Sequence, residues 1–287
     1  MASYAQIVRA LTPPAFWNFG KRRLPGVVRA LGGHYTHIRF TGDYPSFAAA
    51  RQASQGYDAP NILEKTRGAL LKVKRGENRW EQDAMVSDSA ELPWSLLACL
   101  MRVAAVRGNR ELRVADFGGS LGSTYFWCRD FFKEDFRLRW HVVEQAGHVK
   151  VGRADFQDEE LRFDFSVEDV LAQLRPDVLL MSGVLQFLEE PGAFLQKLPG
   201  WGIPYFILDR TPLWRHPHDR LTVQQVPEEI YRASYPAWFL SEEKIVSQLT
   251  RDYALRWRAP DKETWEVDDE AVPNSLYFFQ HKTKQPA

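Results

Sequence analysis

From Glu111 onward the chain alternates short apolar runs with helix-like or loop-like segments, and this rhythm restricts the fold more than any other feature. The runs are "LRVADFG" (112–118), "RWHVVEQ" (139–145), "LRFDF" (161–165), "PDVLLMSG" (176–183) and "PYFILDR" (204–210). "TYFWCRDFF", "SVEDVLAQL" and "EEPGAFLQKL" lie between them. Strands that alternate with helices build a parallel sheet with helices on both faces. Two last runs, "YALRWRAP" and "NSLYFFQHK", are separated only by "DKETWEVDDEAVP". That loop suits an antiparallel hairpin rather than a crossover. The expected fold is α/β, with a seven-stranded mixed sheet and a C-terminal β-hairpin.

Composition agrees with such a domain. The chain has 287 residues, 45% of them hydrophobic and 26% charged, a usual globular balance. Lysine plus arginine equal aspartate plus glutamate at 37 each; a general nucleic-acid binder would carry a basic excess, so no nucleic-acid partner is expected. Cys99 and Cys128 lie in apolar segments and imply no disulfide framework. No uncharged apolar run reaches a membrane-spanning length and no signal peptide is recognisable, so the expected compartment is the cytoplasm.

Residues 1–110 read as a mainly helical extension ahead of a 111–287 domain. "YPSFAAARQAS" and "NILEKTRGALLKVKRG" have helical spacing, and "PWSLLACLMRVAAVRGN" is the clearest helix. Pro93 suits its first turn, and Gly108-Asn109 ends it. Trp94, Leu97, Ala98, Met101 and Ala104 form the expected apolar stripe. No acidic residue precedes Asp43, whereas Arg9, Lys21, Arg22, Arg23, Arg29 and Arg39 do. The arm therefore reads either as a packing segment anchored by Phe16, Trp17 and Phe19 or as a peripheral contact with an anionic inner-membrane surface. Packing is preferred, because aromatic residues most often serve as anchors.

"RVADFGGSLGSTYFW" (113–127) follows the first apolar run and leads into a helix. In an open α/β sheet, ligands bind beyond the carboxyl ends of the strands where the strand order reverses. Gly118, Gly119 and Gly122 let backbone approach a ligand, and a helix N-terminus offers free N–H groups. Asp116 precedes the glycines, and Glu144 ends the next strand, where a carboxylate accepts from ribose hydroxyls. Asp116 is unfavourable beside a pyrophosphate and favourable beside an ammonium. A ligand with an ammonium and a ribose but no phosphate fits this turn, and S-adenosylmethionine is of that kind.

The stretches "DFGGSLGSTYF", "WHVVEQ", "DVLLMSGVLQFLEEP", "ILDRTP", "DRLTVQQVPEEIYRASYPAWF" and upstream "GYD" resemble a class I S-adenosylmethionine-dependent methyltransferase. More narrowly, they resemble a methyltransferase family found with bacterial surface-polysaccharide and lipopolysaccharide (O-antigen) biosynthesis genes. The resemblance spans residues from about 42 to 258 and implies a Rossmann-like domain with S-adenosylmethionine as cofactor. It implies that Asp116, Gly118, Gly119, Ser120 and Gly122 line the methionine end of the cofactor. Glu144 would hold the ribose and Gln145 would lie beside the adenine. Asp164, Phe165 and Ser166 would follow at the adenine, and Ser182, Gly183, Val184 and Gln186 would flank the methyl group or the acceptor.

The segment from Asp209 to Trp238 mixes arginines, histidines, glutamines and aromatics, with Pro212, Pro217, Pro227 and Pro236 reading as fixed turns. A proline-stiffened loop of this kind suits a sugar acceptor, free or nucleotide- or lipid-linked. Gln186, Arg210, Arg220, Gln224, Tyr231, Tyr235 and Trp238 are its candidate substrate contacts. His216, His218 and Asp209 are the candidate general bases. A metal on His216, His218, Asp209 and Asp219 is the lesser alternative, since His-x-His in a loop lacks a dedicated ligand frame, and none is expected. Tyr44, Tyr57, Glu77, Trp80 and Glu81 would cap the site or serve a purely structural cap. O-methylation of a surface glycan is the expected activity. A non-catalytic scaffold subunit of a polysaccharide assembly complex and a nicotinamide-dependent oxidoreductase are the alternatives.

Overall fold

The computed structural model describes residues 38–55, 60–82, 84–88, 92–108, 110–227 and 233–284, and the statements that follow concern these. The described chain opens with strand β1 (Arg39–Thr41). Helix α1 (Phe47–Gln52) starts where the Ser46 hydroxyl accepts the Ala49 N–H at 3.2 Å, an N-cap. Helix α2 (Pro60–Lys74) begins on a proline, which costs the first turn no hydrogen bond. Strands β2 (Trp80–Gln82) and β3 (Met85–Ser87) form a short hairpin. Helix α3 (Trp94–Arg107) ends at Gly108, whose φ of 74° makes it a left-handed cap.

The alternating region follows as β4 (Glu111–Phe117), α4 (Ser123–Phe132), β5 (Arg137–Val143), α5 (Ala146–Asp155), β6 (Leu161–Asp164) and α6 (Val167–Gln173). It continues as β7 (Val178–Ser182), a 3-10 turn (Leu185–Phe187), α7 (Pro191–Trp201) and β8 (Tyr205–Thr211). The remainder is β9 (Leu213–Trp214), β10 (Arg220–Val226), β11 (Ala233–Ser241), α8 (Glu242–Leu249), β12 (Tyr253–Val267) and β13 (Glu270–His281). No described helix is long and apolar enough to cross a membrane.

The main sheet has seven strands in the order β12-β13-β8-β7-β4-β5-β6. The five from β8 to β6 are parallel, and β13 runs antiparallel to both its neighbours. Alternate residues of the central strands supply two cores. Leu112, Val114, Trp140, Val142 and Phe278 face α3 and α4, and Ala115, Val143, Met181, Leu208 and Phe279 face α6 and α7. The chain leaves β4 toward β5 on one side and later returns to place β7 on the other. The order therefore reverses between β4 and β7, and a crevice at their carboxyl ends is the expected ligand position.

Three local readings of the sequence need correction. The buried stripe of α3 is Leu96, Leu97, Cys99, Leu100, Val103 and Ala104. Trp94 is 58% exposed and Ala98 also faces out. Both ridges of this helix are apolar, and the one richer in leucine packs on the sheet. "DKETWEVDDEAVP" is not a loop; β12 and β13 run through it to a turn at Asp268 and Asp269, whose φ values are 47° and 63°. Positive φ at both central residues marks the tight turn that matches strand twist. The segment after Asp209 is not a chain of proline turns either. β10 and β11 pair along seven residues, and with β1 and β9 they make a second sheet in the order β1-β10-β11-β9. Pro236 lies inside β11, opposite Val223. β9 pairs with β11 only at Leu240 and Ser241, so one side of β11 has no partner strand at Pro236 and a missing N–H is tolerated.

Candidate active site

At the end of β4 the chain turns under itself. Gly118 (φ 74°) and Gly122 (φ 97°) adopt left-handed backbone, as does Ser120 (φ 55°). A Cβ on Gly118 would lie 2.4 Å from Val184, and one on Gly119 would lie 2.4 Å from the Asp116 carboxylate. The turn thus exists only with glycine at these two positions. The Gly118 N–H donates to the Val143 carbonyl at 2.9 Å, which ties the turn to β5.

Asp116 lies wholly buried beneath this turn. Its Oδ2 accepts the Trp140 indole N–H at 2.9 Å, while its Oδ1 has no hydrogen-bond partner. Burial pushes the carboxyl up to about 7; the Trp140 hydrogen bond opposes the rise, and the charges of Glu144 and Asp209 add to it. Glu144 follows β5. Its carboxylate accepts the Gln145 backbone N–H at 2.7 Å and lies 3.8 Å from His148. Burial raises its pKa, opposed by His148 and by backbone hydrogen bonds from Gln145 and Ser120. Ser120 thus lies beside Glu144, which sets this carboxylate next to the glycine turn. Gln145, at the start of α5, is exposed.

The residues after β6 divide by role. Asp164 is buried and fully engaged, with Oδ2 2.7 Å from His141 Nδ1 and Oδ1 accepting from Gln173 at 2.7 Å. Burial would raise its pKa, but these two bonds together with the charges of His141 and Arg153 outweigh it and hold the carboxyl below its ordinary value. Ser166 caps α6 by accepting the Asp169 N–H at 3.1 Å. Phe165 is 56% exposed, with the Arg153 guanidinium 5.0 Å from its ring centroid.

Across the switch point, the Ser182 hydroxyl donates to Asp209 Oδ2 at 2.8 Å and the Gly183 N–H donates to the Asp209 carbonyl at 2.9 Å. The ends of β7 and β8 are thereby locked together. Arg210 holds a φ of 50° and places its guanidinium 5.7 Å from the Trp127 ring centroid, so it bridges β8 and α4. Gln186, in the 3-10 turn, is 1% exposed. Asp116, Gly118, Gly119, Ser120, Gly122, Glu144, Ser182, Gly183, Asp209 and Arg210 therefore gather at one sheet edge.

The remaining candidates lie elsewhere. His216 Nε2 is 2.6 Å from Glu270, and the His216 and His218 ring centroids are 5.7 Å apart. Glu270 lies five residues beyond Ser275, the partner of Thr211, which is about 17 Å along an extended strand. The histidines thus belong to the hairpin tip rather than to the sheet edge. Asp219 is occupied with the Ser241 N–H and Lys244. Arg220 pairs with Asp268 and donates to the Gly42 carbonyl. Gln224 and Tyr235 face each other across β10 and β11, with Nε2 donating to the hydroxyl at 3.0 Å. Trp238 donates to the Leu188 carbonyl at 3.1 Å. Tyr57 and Tyr231 lie outside the described residues. Two surface grooves of about 550 and 460 Å³ run along α8, lined by Pro217, Lys244 and Arg251 and by Arg215, Leu255 and Arg258; neither includes a residue of the switch point.

Sequence reasoning gave Glu81 only a general capping role. Its carboxylate accepts the Ser123 hydroxyl at 2.5 Å at the start of α4 and the Ala84 N–H at 2.8 Å. Trp80 stacks on Trp127 at 4.3 Å with an interplanar angle of 6°. The β2–β3 hairpin is therefore fastened over the first turn of α4.

No family model matches the chain. A cysteine–tRNA ligase from Cereibacter sphaeroides (strain ATCC 17025 / ATH 2.4.3) is 26% identical over 180 residues, 60% of this chain. The chain spans only 30% of the length of that curated relative. Among solved structures, the N-terminal domain of EvdMO1 in the presence of SAH and D-fucose is 13% identical, covering 79% of this chain and 100% of that one, with a TM-score of 0.44. Magnesium protoporphyrin IX methyltransferase from Synechocystis PCC 6803 with bound SAM is 14% identical over 76% of this chain and 97% of that one, at 0.42. An S-adenosylmethionine-dependent methyltransferase from Mesorhizobium loti is 14% identical over 68% and 99%, also at 0.42.

Proposed function

We propose that this protein is an S-adenosylmethionine-dependent methyltransferase and that its acceptor is a sugar hydroxyl, in a surface glycan or in a nucleotide- or lipid-linked precursor. The observation that carries the reading is the buried Asp116 carboxyl beneath a glycine turn, with Glu144 next to the same turn. Pyrophosphate on that turn would lie over a buried acid and beside a second one, which disfavours a dinucleotide. A cationic nucleoside meets the opposite field. The residues present fit such a cofactor: Asp116 Oδ1 lacks a partner, and the carboxylate packs directly against Gly119, where a Cβ would lie 2.4 Å from it, so only bare backbone separates the acid from the outer side of the turn. Asp116 would act on the ammonium from beneath the turn, Gly118 to Ser120 would line the methionine end, and Glu144 would take the ribose.

The bound cofactor supplies an electrophilic methyl group to an oxygen nucleophile. Of the three candidate bases, Asp209 is the one at the sheet edge, where Ser182 fixes its carboxylate. We assign it the acceptor proton. Arg210, beside it, would orient the acceptor. Gln224 and Tyr235, set among apolar residues on one face of the second sheet, favour a sugar over a wholly apolar acceptor.

Calorimetry tests the reading. S-adenosylmethionine or its demethylated product should bind at micromolar level. Glu144→Ala should weaken that binding about 10- to 100-fold, a loss of about 1.4–2.7 kcal/mol, while leaving the melting temperature nearly unchanged. A protein that binds neither compound, or one that NAD stabilises and the methyl donor does not, would overturn it.

A further inference from the structure

Between the C-terminal edge of the main sheet and the inner face of the second sheet runs a seam with unmet polar groups. Gln186 after β7, Gln224 on β10 and Asn274 on β13 are 1%, 3% and 1% exposed. The side-chain amide oxygen of each is buried without a hydrogen-bond partner. In two of them the other end is already engaged, Gln224 with Tyr235 at 3.0 Å and Asn274 with Glu263 at 3.3 Å. Half-satisfied buried amides cost stability, and native proteins keep few of them.

A continuous line of contacts joins the three. Phe187, next to Gln186, meets Tyr235 at 5.2 Å and Trp265 at 6.5 Å between ring centroids. Tyr235 is the cross-strand partner of Gln224. Trp265 is the partner of Val272, two residues from Asn274. The β2–β3 hairpin roofs the same seam. Gln82 donates at 3.0 Å to Glu263, the carboxylate that also takes the Asn274 amide. Ala84 packs into the cluster of Tyr235, Val226 and Phe187. Glu81 fastens the hairpin to α4, directly after the glycine turn.

We propose that this seam is the acceptor site, and that Gln186, Gln224 and Asn274 recognise an uncharged ligand through its hydroxyl groups. This rests on the methyltransferase reading for what binds beside it. A hydroxyl both donates and accepts, so it completes an amide presented by either end. A phosphate or carboxylate only accepts, and here it would enter among Glu81, Asp209 and Glu263. Half-buried Phe187 and Trp265 border the seam; one Trp265 face is taken by Phe40 at 4.5 Å, and the remaining apolar ring surface suits a sugar ring. Asn274 and the β2–β3 roof thereby join the specificity-determining parts of the site.

Gln186→Met and Gln224→Met, close in shape and free of amides, separate this from a structural role. If the amides await a ligand, both variants should melt at or above the parental temperature and bind S-adenosylhomocysteine as the parent does. Thermal melts of the parent with D-glucose, L-rhamnose and N-acetyl-D-glucosamine at tens of millimolar, with and without S-adenosylhomocysteine, supply the second arm. At least one neutral sugar should raise the melting temperature by about 2 °C or more, and both variants should lose that shift. Melting lowered by more than about 4 °C in both variants would mean that the amides are completed structurally, and the proposal falls. It falls equally if no neutral sugar protects, if only glucosamine or glucose 6-phosphate does, or if protection survives in both variants. A failure of the methyltransferase reading shows separately, as the absence of any shift with S-adenosylhomocysteine alone.

Discussion

Asp116 is fully buried, yet its carboxyl is the group on which the cofactor reading turns. Its folded-state value of about 7 lies above the ordinary value of 3.8. Below pH ~4 both folded and unfolded chains hold the proton and the residue contributes nothing. As pH rises toward 7 the unfolded chain releases the proton while the folded chain keeps it, so stability falls, levelling off above the folded value. Asp116→Asn removes this dependence. In denaturant melts the variant should match the parent near pH ~4 and exceed it above pH ~7, by up to about 4 kcal/mol. A difference that does not grow with pH would show that the buried carboxyl is ionised. The same substitution should weaken binding of a cationic nucleoside, so stability and function oppose each other at this residue. Asp116, the glycines and Glu144 were legible in the sequence because they follow the ends of successive strands. Asn274 was not, since its partner Glu263 lies across a hairpin and its seam is built by elements that meet only in the folded chain.

Among the elements, α6 shows how one residue can be read in two ways. Ser166 was expected near the adenine, and the structure uses its hydroxyl to cap the helix. Ser166→Ala should therefore cost about 1 kcal/mol in chemical denaturation and leave cofactor affinity within twofold. A large loss of affinity at unchanged stability would return the residue to the ligand. The strands of the main sheet were readable from their apolar runs, and the terminal hairpin from its separation. The length of that hairpin was not, because charged residues at Glu263, Glu266 and Glu270 interrupt the pattern that Trp265, Val267 and Val272 carry. The second sheet was missed for a similar reason: Pro236 reads as a breaker, and only the lack of a partner strand beside it makes it harmless.

Over the whole molecule, opposite edges of the sheet do different work. The carboxyl edge holds Asp116, whose Oδ1 has no hydrogen-bond partner, and Arg210 in left-handed backbone. The amino edge holds a closed ion-pair network. Arg107 from α3 pairs with Asp177 before β7 and with Glu111 on β4, and Asp177 also accepts the Arg113 N–H at 2.9 Å. Arg107 and Asp177 side chains are 2% and 1% exposed, so removing one strands the other. Asp177→Ala should lose about 3–5 kcal/mol by denaturant melts, with no change in ligand affinity for the protein that remains folded. The second sheet carries a different consequence. β1 pairs with β10, and Phe40 meets Gln224 about 180 residues further along the chain, a closure that long-range topology makes slow. During synthesis β1 emerges early and waits until β10 and β11 have left the ribosome. The second sheet thus closes only after the parallel core strands have been made, and a nascent chain holds its glycine turn well before the wall beside it is built.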